Sequence, residues 1–440
     1  MNSDFIWGVA ASAYQTEGAV YEGGRGQSIW DHFHARTGDT GALACDVYHR
    51  YRSDVELMHR LGVDAFRLSV AWPRVIPEGR GAVNPRGLDY YDRVVDTLLE
   101  FGIEPFVNLF HWDLPQRLED EGGWPARATA EAFAEYASVV AARLGDRVVH
   151  WSTHNEPFCA SWLGYGYGEH APGRTNPKDA FAAAHHVLLS HGLAVPEIRR
   201  QARAAQVGII VDSWPAHPAS DDPRADAAAR AADGLRNRWF FDPLLRGEYP
   251  ADVAELHEAE LPPVKDGDLG VIATPIDWLG INNYSRTLHD ADGTVVRAPE
   301  APLTAMGWEI YPDGLREVIC RLSEEYDAPP LYVTEFGAAF DDVQVHDGRI
   351  HDVDRIAFLE AYVGAIDEAR LEGADVRGAF VWSLLDNFEW AYGYSKRFGL
   401  VYVDYPTQAR IPKASFAWYR DLIAARKARA ATGASMLTSA

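Results

Sequence analysis

Short runs of apolar, β-branched and aromatic residues recur along the chain, and charged, glycine or proline residues bound each run. Runs of this length and composition predict buried strands. Between them, apolar positions near the helical period predict helices, for example over 53–62, 87–102 and 354–370, with Gly62 and Gly102 where the first two should end. The predicted strands cover residues 5–10, 65–70, 104–109, 148–153, 205–211, 277–282, 331–335 and 378–383.

Strands that alternate with helices form parallel sheets, which places the chain in the α/β class. Eight such strands close most simply into one (β/α)8 TIM barrel, although 440 residues would also suffice for two or three average domains. No Pro/Gly/Ser-rich linker and no repeat of fixed period interrupts the chain, so we expect a single domain over 1–440. The alanine-rich tail beyond Tyr419, and more so after about residue 425, is predicted to fray or be disordered.

Charge and composition mainly exclude certain classes of binding partner. Hydrophobic residues make up 47% and charged residues 24% of the chain, which is ordinary for a globular protein with a large core. The formal net charge is −23, which disfavours nucleic acid and anionic membrane surfaces because both carry negative phosphate groups. We therefore expect a neutral small-molecule partner, no nucleic-acid or membrane partner, and either a monomer or a homo-oligomer.

The expected compartment is the cytoplasm. The first residues lack the basic and apolar regions of a secretory signal, and no apolar run has the roughly 18 residues that a membrane span needs. Three widely spaced cysteines indicate neither a disulfide framework nor a zinc site, which agrees with a reducing environment; they are Cys45, Cys159 and Cys320.

Several short motifs resemble cofactor or metal sites but lack the accompanying residues or elements that such sites need. Histidines within 32–34 and 185–191 have spacings that a metal uses, but no cysteine or carboxylate set accompanies them, and we interpret His185 and His191 as helix-face residues. The glycine-rich run 164–168 does not follow a strand and open a helix, so it is predicted to be a loop. We expect no metal and no cofactor.

Aromatic residues point to a carbohydrate. They make up 12% of the chain, including 14 tryptophans, and many adjoin acidic or imidazole side chains, as in the segments 110–116, 305–312 and 387–394. A sugar ring offers an apolar face and a hydroxyl edge, so its pocket combines aromatic platforms with polar groups.

Polar and aromatic residues also stand at the carboxyl ends of seven of the eight predicted strands. In a TIM barrel these ends meet at one mouth, where catalytic residues are found. Such residues at seven strand ends together are much more specific evidence for a catalytic site than a match at any single strand end. In chain order the residues are Gln15 and Glu17, Arg67, His111 and Trp112, Asn155 and Glu156, Asn282 and Tyr284, Glu335, and Trp382.

Two glutamates at one mouth suit the hydrolysis of a glycosidic bond, in which one carboxyl protonates the leaving oxygen and the other attacks the sugar or activates water. Glu156 lies among aromatic neighbours, a setting that raises a carboxyl pKa and keeps a proton available. Glu335 is expected to stay ionised through Arg67 and a hydrogen bond from Tyr284, which favours a nucleophile.

These residues lie in segments that resemble the family 1 glycoside hydrolases, the retaining β-glucosidase family. The similar segments are 5–19, 44–77, "FHWDLPQ", "NEP", 278–284, "MGWEIYP", "YVTEFG" and 381–404. The resemblance implies a (β/α)8 barrel that hydrolyses terminal non-reducing β-D-glucosyl residues, with β-D-galactosyl or β-D-fucosyl residues as alternatives. It also implies double displacement, with the two catalytic carboxyls about 5–5.5 Å apart.

The same resemblance implies a role for each site residue. Glu156 is similar to the acid/base and Glu335 to the nucleophile. Residues similar to those that hold the hydroxyls of the sugar are Gln15, His111, Trp112, Asn155, Glu389 and Trp390. Trp382 resembles the platform beneath that sugar and Trp308 one beneath the leaving group, while Asn282, Tyr284 and Arg67 resemble the supports of the nucleophile.

The chain departs from the family pattern at three positions. Phe336 replaces the asparagine of "TENG", His154 replaces an aromatic or aliphatic residue before Asn155, and Asn283 replaces a tyrosine of "NYY". None of these removes a catalytic group. An apolar ring beside a carboxylate disfavours its charged form, so Phe336 is expected to affect the pKa of Glu335 and the sugar preference. We interpret His154 as a structural histidine.

Other functions are also compatible with parts of this pattern. Basic residues within 394–399 suit a sugar 6-phosphate, although Glu389 would repel it. A transglycosylase would use the same site and transfer the sugar to an added alcohol. A carbohydrate-binding protein with an inactive barrel usually lacks one carboxylate, and plant-type S-glycosidases resemble this pattern with glutamine in place of Glu156, so both are disfavoured.

Overall fold

The computed structural model describes residues 5–33, 38–262, 264–343 and 348–437, with side chains described as far as residue 431. In this part of the chain the strands are β1 (Ile6–Ala10), β2 (Ala65–Ser69), β3 (Glu104–Phe110), β4 (His150–Asn155), β5 (Gln206–Asp212), β6 (Ala216–Pro218), β7 (Trp278–Asn282), β8 (Thr287–His289), β9 (Val295–Val296), β10 (Leu331–Phe336), β11 (Val376–Trp382), β12 (Val401–Asp404) and β13 (Ala409–Pro412).

A closed parallel barrel forms the centre of the molecule. Its strand order is β1-β11-β10-β7-β5-β4-β3-β2, and β1 closes the ring by pairing with both β11 and β2. Every one of the predicted strands overlaps one of these barrel strands, so the predicted (β/α)8 TIM barrel is confirmed. Parallel strands covered on both faces need apolar residues throughout, which explains the near-continuous apolar runs.

Helices surround the barrel and cover its outer face. The α-helices are Ala13–Thr16, Ile29–His32, Val47–Leu61, Trp72–Val75, Pro85–Glu100, Gln116–Asp120, Arg127–Leu144, Pro177–Gln201, Pro223–Asp233, Trp239–Leu245, Ala251–Leu256, Asp268–Ile272, Asp313–Glu325, Val353–Leu371 and Ala414–Leu437. The three predicted helices are among them. Gly62 follows the third helix with φ 80°, the left-handed conformation that ends many helices and that glycine adopts most readily.

The barrel interior is packed below its mouth. Phe106 stacks on His150 with ring centroids 4.1 Å apart and lies 4.9 Å from the ring of Phe380. Gly8 leaves room for this packing, since a Cβ there would lie 2.3 Å from the Phe380 ring. The interior is therefore closed towards the amino ends of the strands, and the open space lies at the carboxyl ends.

One predicted loop is wrong. The run 164–168 is not a loop throughout, because the chain forms a π-helix over Cys159–Gly166 directly after β4. The side chains of Trp162 and Tyr165 are buried, and Trp162 packs edge to face on Phe181 at 5.0 Å. Burial of these aromatic residues outweighs the low helix propensity of Gly164 and Gly166.

Smaller elements complete the structure. A second π-helix is Gly234–Arg238 and a 3-10 helix is Trp390–Tyr392. β6, β8 and β9 form a three-stranded sheet, and β12 pairs with β13. The predicted fraying concerns the last helix, whose side chains from residue 432 on lie outside the described part, as do residues 438–440, so it stays a prediction. None of the described helices is both long and apolar enough to span a membrane.

Candidate active site

The two glutamates at the centre of the predicted site face one cavity at the mouth of the barrel. Glu156 follows β4 and Glu335 lies near the end of β10; they are 5% and 3% exposed, respectively. The cavity has a volume of about 480 Å³, which is large enough for a small sugar. Asn282, at the end of β7, donates its Nδ2 hydrogen to Oε1 of Glu156 at 2.7 Å.

Glu335 is held by two hydrogen-bond donors, one on each oxygen. Nη1 of Arg67 donates to Oε1 at 2.6 Å, and the hydroxyl of Tyr284 donates to Oε2 at 2.5 Å. Burial raises the pKa of Glu335 above its usual value, although the Arg67 guanidinium and the Tyr284 hydroxyl oppose this rise. Both predicted contacts are thus present, and both stabilise the charged form.

Among the residues that the structure describes, Glu156 has no such cation. Burial raises its pKa well above the usual value, and the negative charges of Glu335 and Asp212 raise it further, while the hydrogen bond from Asn282 opposes them. Two coupled carboxyls cannot both hold a charge easily in a buried site. The contacts therefore favour a proton on Glu156 and a charge on Glu335.

Aromatic rings and one further carboxyl form the inner wall of the cavity. The imidazole of His111 stacks on Trp382 and Trp390, with ring centroids 5.8 and 5.9 Å apart, and Trp112 lies 4.6 Å from Trp390. Burial, together with the charge of Arg67, keeps the pKa of His111 well below its usual value, so the imidazole is neutral. Such a wall offers flat apolar faces with polar edges, which suits a sugar ring.

Glu389 stands on the same wall. Burial and the charge of Glu335 raise its pKa to about 8. Directly behind it lies Gln15, which is fully buried and donates to the Oδ1 of Asn387 at 3.0 Å, to the carbonyl of Phe388 at 2.9 Å and to Oε2 of Glu389 at 3.5 Å. The two shorter contacts take both hydrogens of the Gln15 amide, so its contact with Glu389 is the weakest of the three.

Asn155 links the inner wall to the two glutamates. Its Oδ1 accepts from Nη2 of Arg67 at 2.5 Å and from Asn282 at 3.0 Å, and its Nδ2 lies 3.2 Å from Nε2 of His111. The carbonyl of Asn155 also accepts from the indole of Trp112 at 3.0 Å. These contacts fix the relative positions of the predicted site residues.

The outer part of the cavity is aromatic on one side. The ring of Trp308 lies 5.2 Å from Trp214, edge to face, and 5.5 Å from Tyr284. Trp308 is partly exposed whereas Trp382 is buried, so Trp308 lies nearer to the opening, and its role as a leaving-group platform stays a prediction.

One strand-end residue does not join the site. Glu17 does not line the cavity, because its carboxyl accepts from Nε of Arg74 at 2.9 Å and from the hydroxyl of Tyr91 at 2.7 Å. It anchors a helix–barrel contact instead.

The three departures from the family pattern also lie outside the cavity lining. Phe336 packs in the outer core layer because successive strand residues face opposite ways, and its effect on the pKa of Glu335 stays a prediction. Nε2 of His154 lies 2.8 Å from the Ser190 hydroxyl, and Asn283 donates to the carbonyl of Ser213 at 2.7 Å.

The histidines with metal-like spacing have ordinary partners. His185 contacts the Tyr249 hydroxyl at 2.9 Å and Asp268 at 3.1 Å, and His191 contacts the Thr153 hydroxyl at 2.7 Å. His34 lies outside the described residues.

Several cavity residues were not predicted from the sequence. They include Asp212, Trp214, Arg236, Cys159 and Glu169. The strand-end pattern could have indicated Asp212, because Asp212 is the last residue of β5. β5 is the one barrel strand at whose end no site residue was predicted. Arg236 lies in a π-helix that is far from the ends of the barrel strands along the sequence, so the strand-end pattern does not predict it.

Three site residues have left-handed backbone conformations. The φ angles of Trp112, Glu156 and Trp390 are 78°, 52° and 44°. Residues other than glycine adopt such angles at a cost of about 1–3 kcal/mol each, and they cluster at functional sites. The surrounding hydrogen bonds and ring contacts hold these side chains towards the cavity.

Comparison with known proteins decides the family. The family model for Glycosyl hydrolase family 1 matches residues 1–428. The chain belongs to glycosyl hydrolase family 1. This confirms the resemblance predicted from the sequence and makes the protein a glycoside hydrolase.

Relatives of this family 1 enzyme match it over nearly their full length. Beta-glucosidase A of Thermotoga maritima is 46% identical over 430 residues, covering 95% of this chain and 96% of that protein. The bifunctional beta-D-glucosidase/beta-D-fucosidase of Bifidobacterium breve is 48% identical over 457 residues, covering 97% and 98%. The solved Thermotoga maritima beta-glucosidase in complex with glucoimidazole has a TM-score of 0.94 at 46% identity, covering 96% of this chain and 98% of that chain.

Proposed function

We propose that the protein is a retaining β-glucosidase that releases terminal non-reducing β-D-glucosyl residues by double displacement. The observation that carries this proposal is the pair of buried carboxyls in one sugar-sized cavity, Glu335 bound by Arg67 and Tyr284 and Glu156 without a cation. The beta-glucosidase relatives support the glucosyl group, and the bifunctional relative supports β-D-fucosyl residues as well.

In the first step Glu335 attacks the anomeric carbon while Glu156 gives its proton to the leaving oxygen. The bond between the sugar and this oxygen breaks, and an ester bond to Glu335 forms. Arg67 and Tyr284 hold the carboxylate of Glu335 in place until it forms the bond to the anomeric carbon.

In the second step Glu156 acts as a base. Glu156 became a carboxylate when it gave its proton to the leaving oxygen. Formation of the ester removes the charge of Glu335, one of the causes that raise the pKa of Glu156, so the charged form of Glu156 persists. The resulting carboxylate takes a proton from water, the water oxygen attacks the anomeric carbon, and the carboxylate of Glu335 leaves. Two inversions give a sugar of retained configuration.

The inner wall binds the sugar in this proposal. His111 and Glu389 hold hydroxyls directly, with Gln15 and Asn155 behind them, and the rings of Trp112, Trp382 and Trp390 pack against the ring faces. The hydrogen bonds from Gln15 to Glu389 and between Asn155 and His111 support these roles.

The substrate is a free sugar rather than a 6-phosphate. The carboxyl of Glu389 lies on the cavity wall. Lys396 donates to the carbonyl of Ala305 at 2.6 Å, and Arg397 donates to Asp386 at 2.7 Å, so both basic residues of the predicted phosphate alternative have protein partners.

We also place this activity in the cytoplasm. The thiols of Cys45, Cys159 and Cys320 are all free, which agrees with a reducing environment. Fractionation of cells that express the protein from its own gene should show most activity in the cytoplasm. Most activity in another fraction would contradict this proposal.

A panel of 4-nitrophenyl glycosides tests the function. We expect hydrolysis of the β-D-glucoside and β-D-fucoside, little hydrolysis of the β-D-glucoside 6-phosphate, and β-glucose as the first product in the NMR spectrum. A higher kcat/KM for the phosphorylated substrate, or α-glucose as the first product, would contradict the proposal. Transfer to added methanol faster than hydrolysis would indicate the transglycosylase alternative.

A further inference from the structure

The outer part of the cavity contains an ion pair that has no assigned contact with the substrate in the two hydrolytic steps. Asp212 and Arg236 both line the cavity, beside the aromatic pair of Trp214 and Trp308. Asp212 accepts a hydrogen bond from Arg236, and its charge raises the pKa of Glu156.

One oxygen of Asp212 has no hydrogen-bond donor within the part of the chain that the structure describes. Asp212 ends β5 and is 1% exposed; its Oδ2 accepts from Nη2 of Arg236 at 2.5 Å, whereas its Oδ1 has no partner among those residues. A buried acceptor without a donor costs free energy of the order of a lost hydrogen bond. Because Asp212 lines the cavity, a ligand in the cavity is the natural source of the missing donor.

Arg236 keeps Asp212 in this orientation. Its guanidinium carbon lies 4.5 Å from the ring centre of Phe158 and 4.7 Å from that of Trp214. A guanidinium held between two aromatic rings has little freedom to move. Turning Asp212 towards another donor would break its charge-assisted hydrogen bond to this fixed group.

The position of Asp212 places it on the leaving-group side of the reaction. In the barrel Asp212 pairs in register with Asn282, and Asn282 in turn donates to Glu156 at 2.7 Å. Since Glu156 gives its proton to the leaving oxygen, residues beside it face the leaving group. β5, which ends with Asp212, lies between β7 and β4, whereas Glu389 and His111, which bind the sugar, follow β11 and β3.

We propose that Asp212 determines leaving-group specificity, because its Oδ1 accepts a hydrogen bond from a hydroxyl of the leaving group. The inference rests on the proposed function. Saccharide and polyol leaving groups supply this donor, whereas alkyl and simple aryl groups leave the oxygen unpaired. A site built to bind a hydroxyl discriminates strongly against substrates that lack it.

The test compares cellobiose with cyclohexyl β-D-glucoside. Both leaving alcohols need a proton from Glu156, but only the leaving glucose carries hydroxyls. In Asp212→Ala, we expect the ratio of kcat/KM for cellobiose to kcat/KM for cyclohexyl β-D-glucoside to fall by about 10-fold relative to the wild type. Asp212→Leu is a second variant of closer volume, and circular dichroism checks that both variants are folded.

A second measurement can be made on the wild-type enzyme alone. Among cellobiose derivatives that each lack one hydroxyl of the leaving glucose, one should have a kcat/KM about 10-fold lower than cellobiose with the wild-type enzyme. A folded Asp212 variant should show no further loss with that derivative.

Two outcomes would overturn the inference. If Asp212 acted only through the proton of Glu156, cyclohexyl β-D-glucoside, whose leaving alcohol is the weaker acid, would lose at least as much activity as cellobiose and the ratio would not fall. A deoxy series with no sensitive position would also contradict it. Failure of the wild type to hydrolyse any β-glucoside would instead overturn the proposed function, and this inference with it.

Discussion

At the scale of single residues, the difference between the two glutamates comes from what each one touches. Glu335 has a guanidinium and a phenol on its two oxygens, whereas Glu156 has an amide and the charges of two other carboxyls nearby. Environments that separate the proton affinities of two carboxyls assign one as acid and the other as nucleophile. The same comparison of contacts distinguishes Glu389, which has neither a cation nor a leaving group beside it.

The pKa of Glu389 makes a prediction about stability. Its folded value of about 8 lies above the value of about 4.3 for an unfolded glutamate, so the folded state binds more protons between these pH values. The stabilisation is complete at low pH and is lost as the pH rises through about 8. We expect the melting temperature of the wild type to fall relative to that of Glu389→Gln between about pH 5 and pH 9.

The measurement is thermal denaturation without sugar, followed by circular dichroism in matched buffers. Glu156 and Glu335 are the same in both proteins, so their titration cancels to first order in the difference. Parallel pH profiles for the two proteins would show that Glu389 is not protonated preferentially in the folded state.

The sequence reveals some residues of the site better than others. Glu156 and Glu335 follow apolar strands, and that position alone predicts where they meet. The buried state of Gln15, behind Glu389 rather than on the cavity surface, depends on side-chain packing across the barrel mouth. Arg236 lies in a π-helix whose path follows from tertiary contacts, so no local pattern indicates its pairing with Asp212.

At the scale of secondary structure elements, the barrel strands set the positions of the catalytic groups. All eight predicted strands were confirmed because each is a buried apolar run with polar residues at its end. The wrong loop over 164–168 shows the limit of this approach: its glycines suggest a turn, but the burial of Trp162 and Tyr165 determines the backbone. Local propensity is a weak guide where tertiary packing opposes it.

Strand spacing beside the nucleophile gives the prediction at this scale. A Cβ at Gly337 would lie 1.9 Å from the carbonyl oxygen of Trp382, so Gly337→Ala must push β10 and β11 apart. This displaces Glu335 and the platform of Trp382 together. We expect kcat/KM for 4-nitrophenyl β-D-glucoside to fall at least about 10-fold, with a lower melting temperature.

Gly364→Ala is the matched control. Gly364 lies within the helix Val353–Leu371, and a Cβ there would meet nothing within 4 Å. Alanine favours a helix over glycine by about 1 kcal/mol, so this variant should keep its activity and unfold at an equal or higher temperature. Similar behaviour of the two variants would show that strand separation does not control the site.

At the scale of the whole molecule, the closure of the barrel joins the two ends of the chain. β1 pairs with β2 and β11, and the hydroxyl of Tyr419 in the last helix donates to the carbonyl of Gly8 at 3.0 Å. The active site draws on strands from both halves of the sequence. A part of the barrel therefore lacks both a complete core and a complete site.

This closure predicts that the chain unfolds as one unit. Thermal unfolding followed by far-UV circular dichroism and by tryptophan fluorescence should give coincident transitions, and activity should be lost in the same temperature range. Two separate transitions, or a stable fragment after limited proteolysis that retains one half of the barrel, would contradict the single-domain prediction.

The most direct test of the central claim is the configuration of the sugar azide formed by two variants. Glu335→Ala leaves a cavity on the α face of the sugar, so added azide should give the α-glucosyl azide. Glu156→Ala should still form the glycosyl-enzyme from 2,4-dinitrophenyl β-D-glucoside, accumulate it for lack of a base, and release the β-glucosyl azide. General damage to the fold does not produce opposite configurations. A β-azide from Glu335→Ala, or near-wild-type turnover by both variants without azide, would contradict the assigned roles.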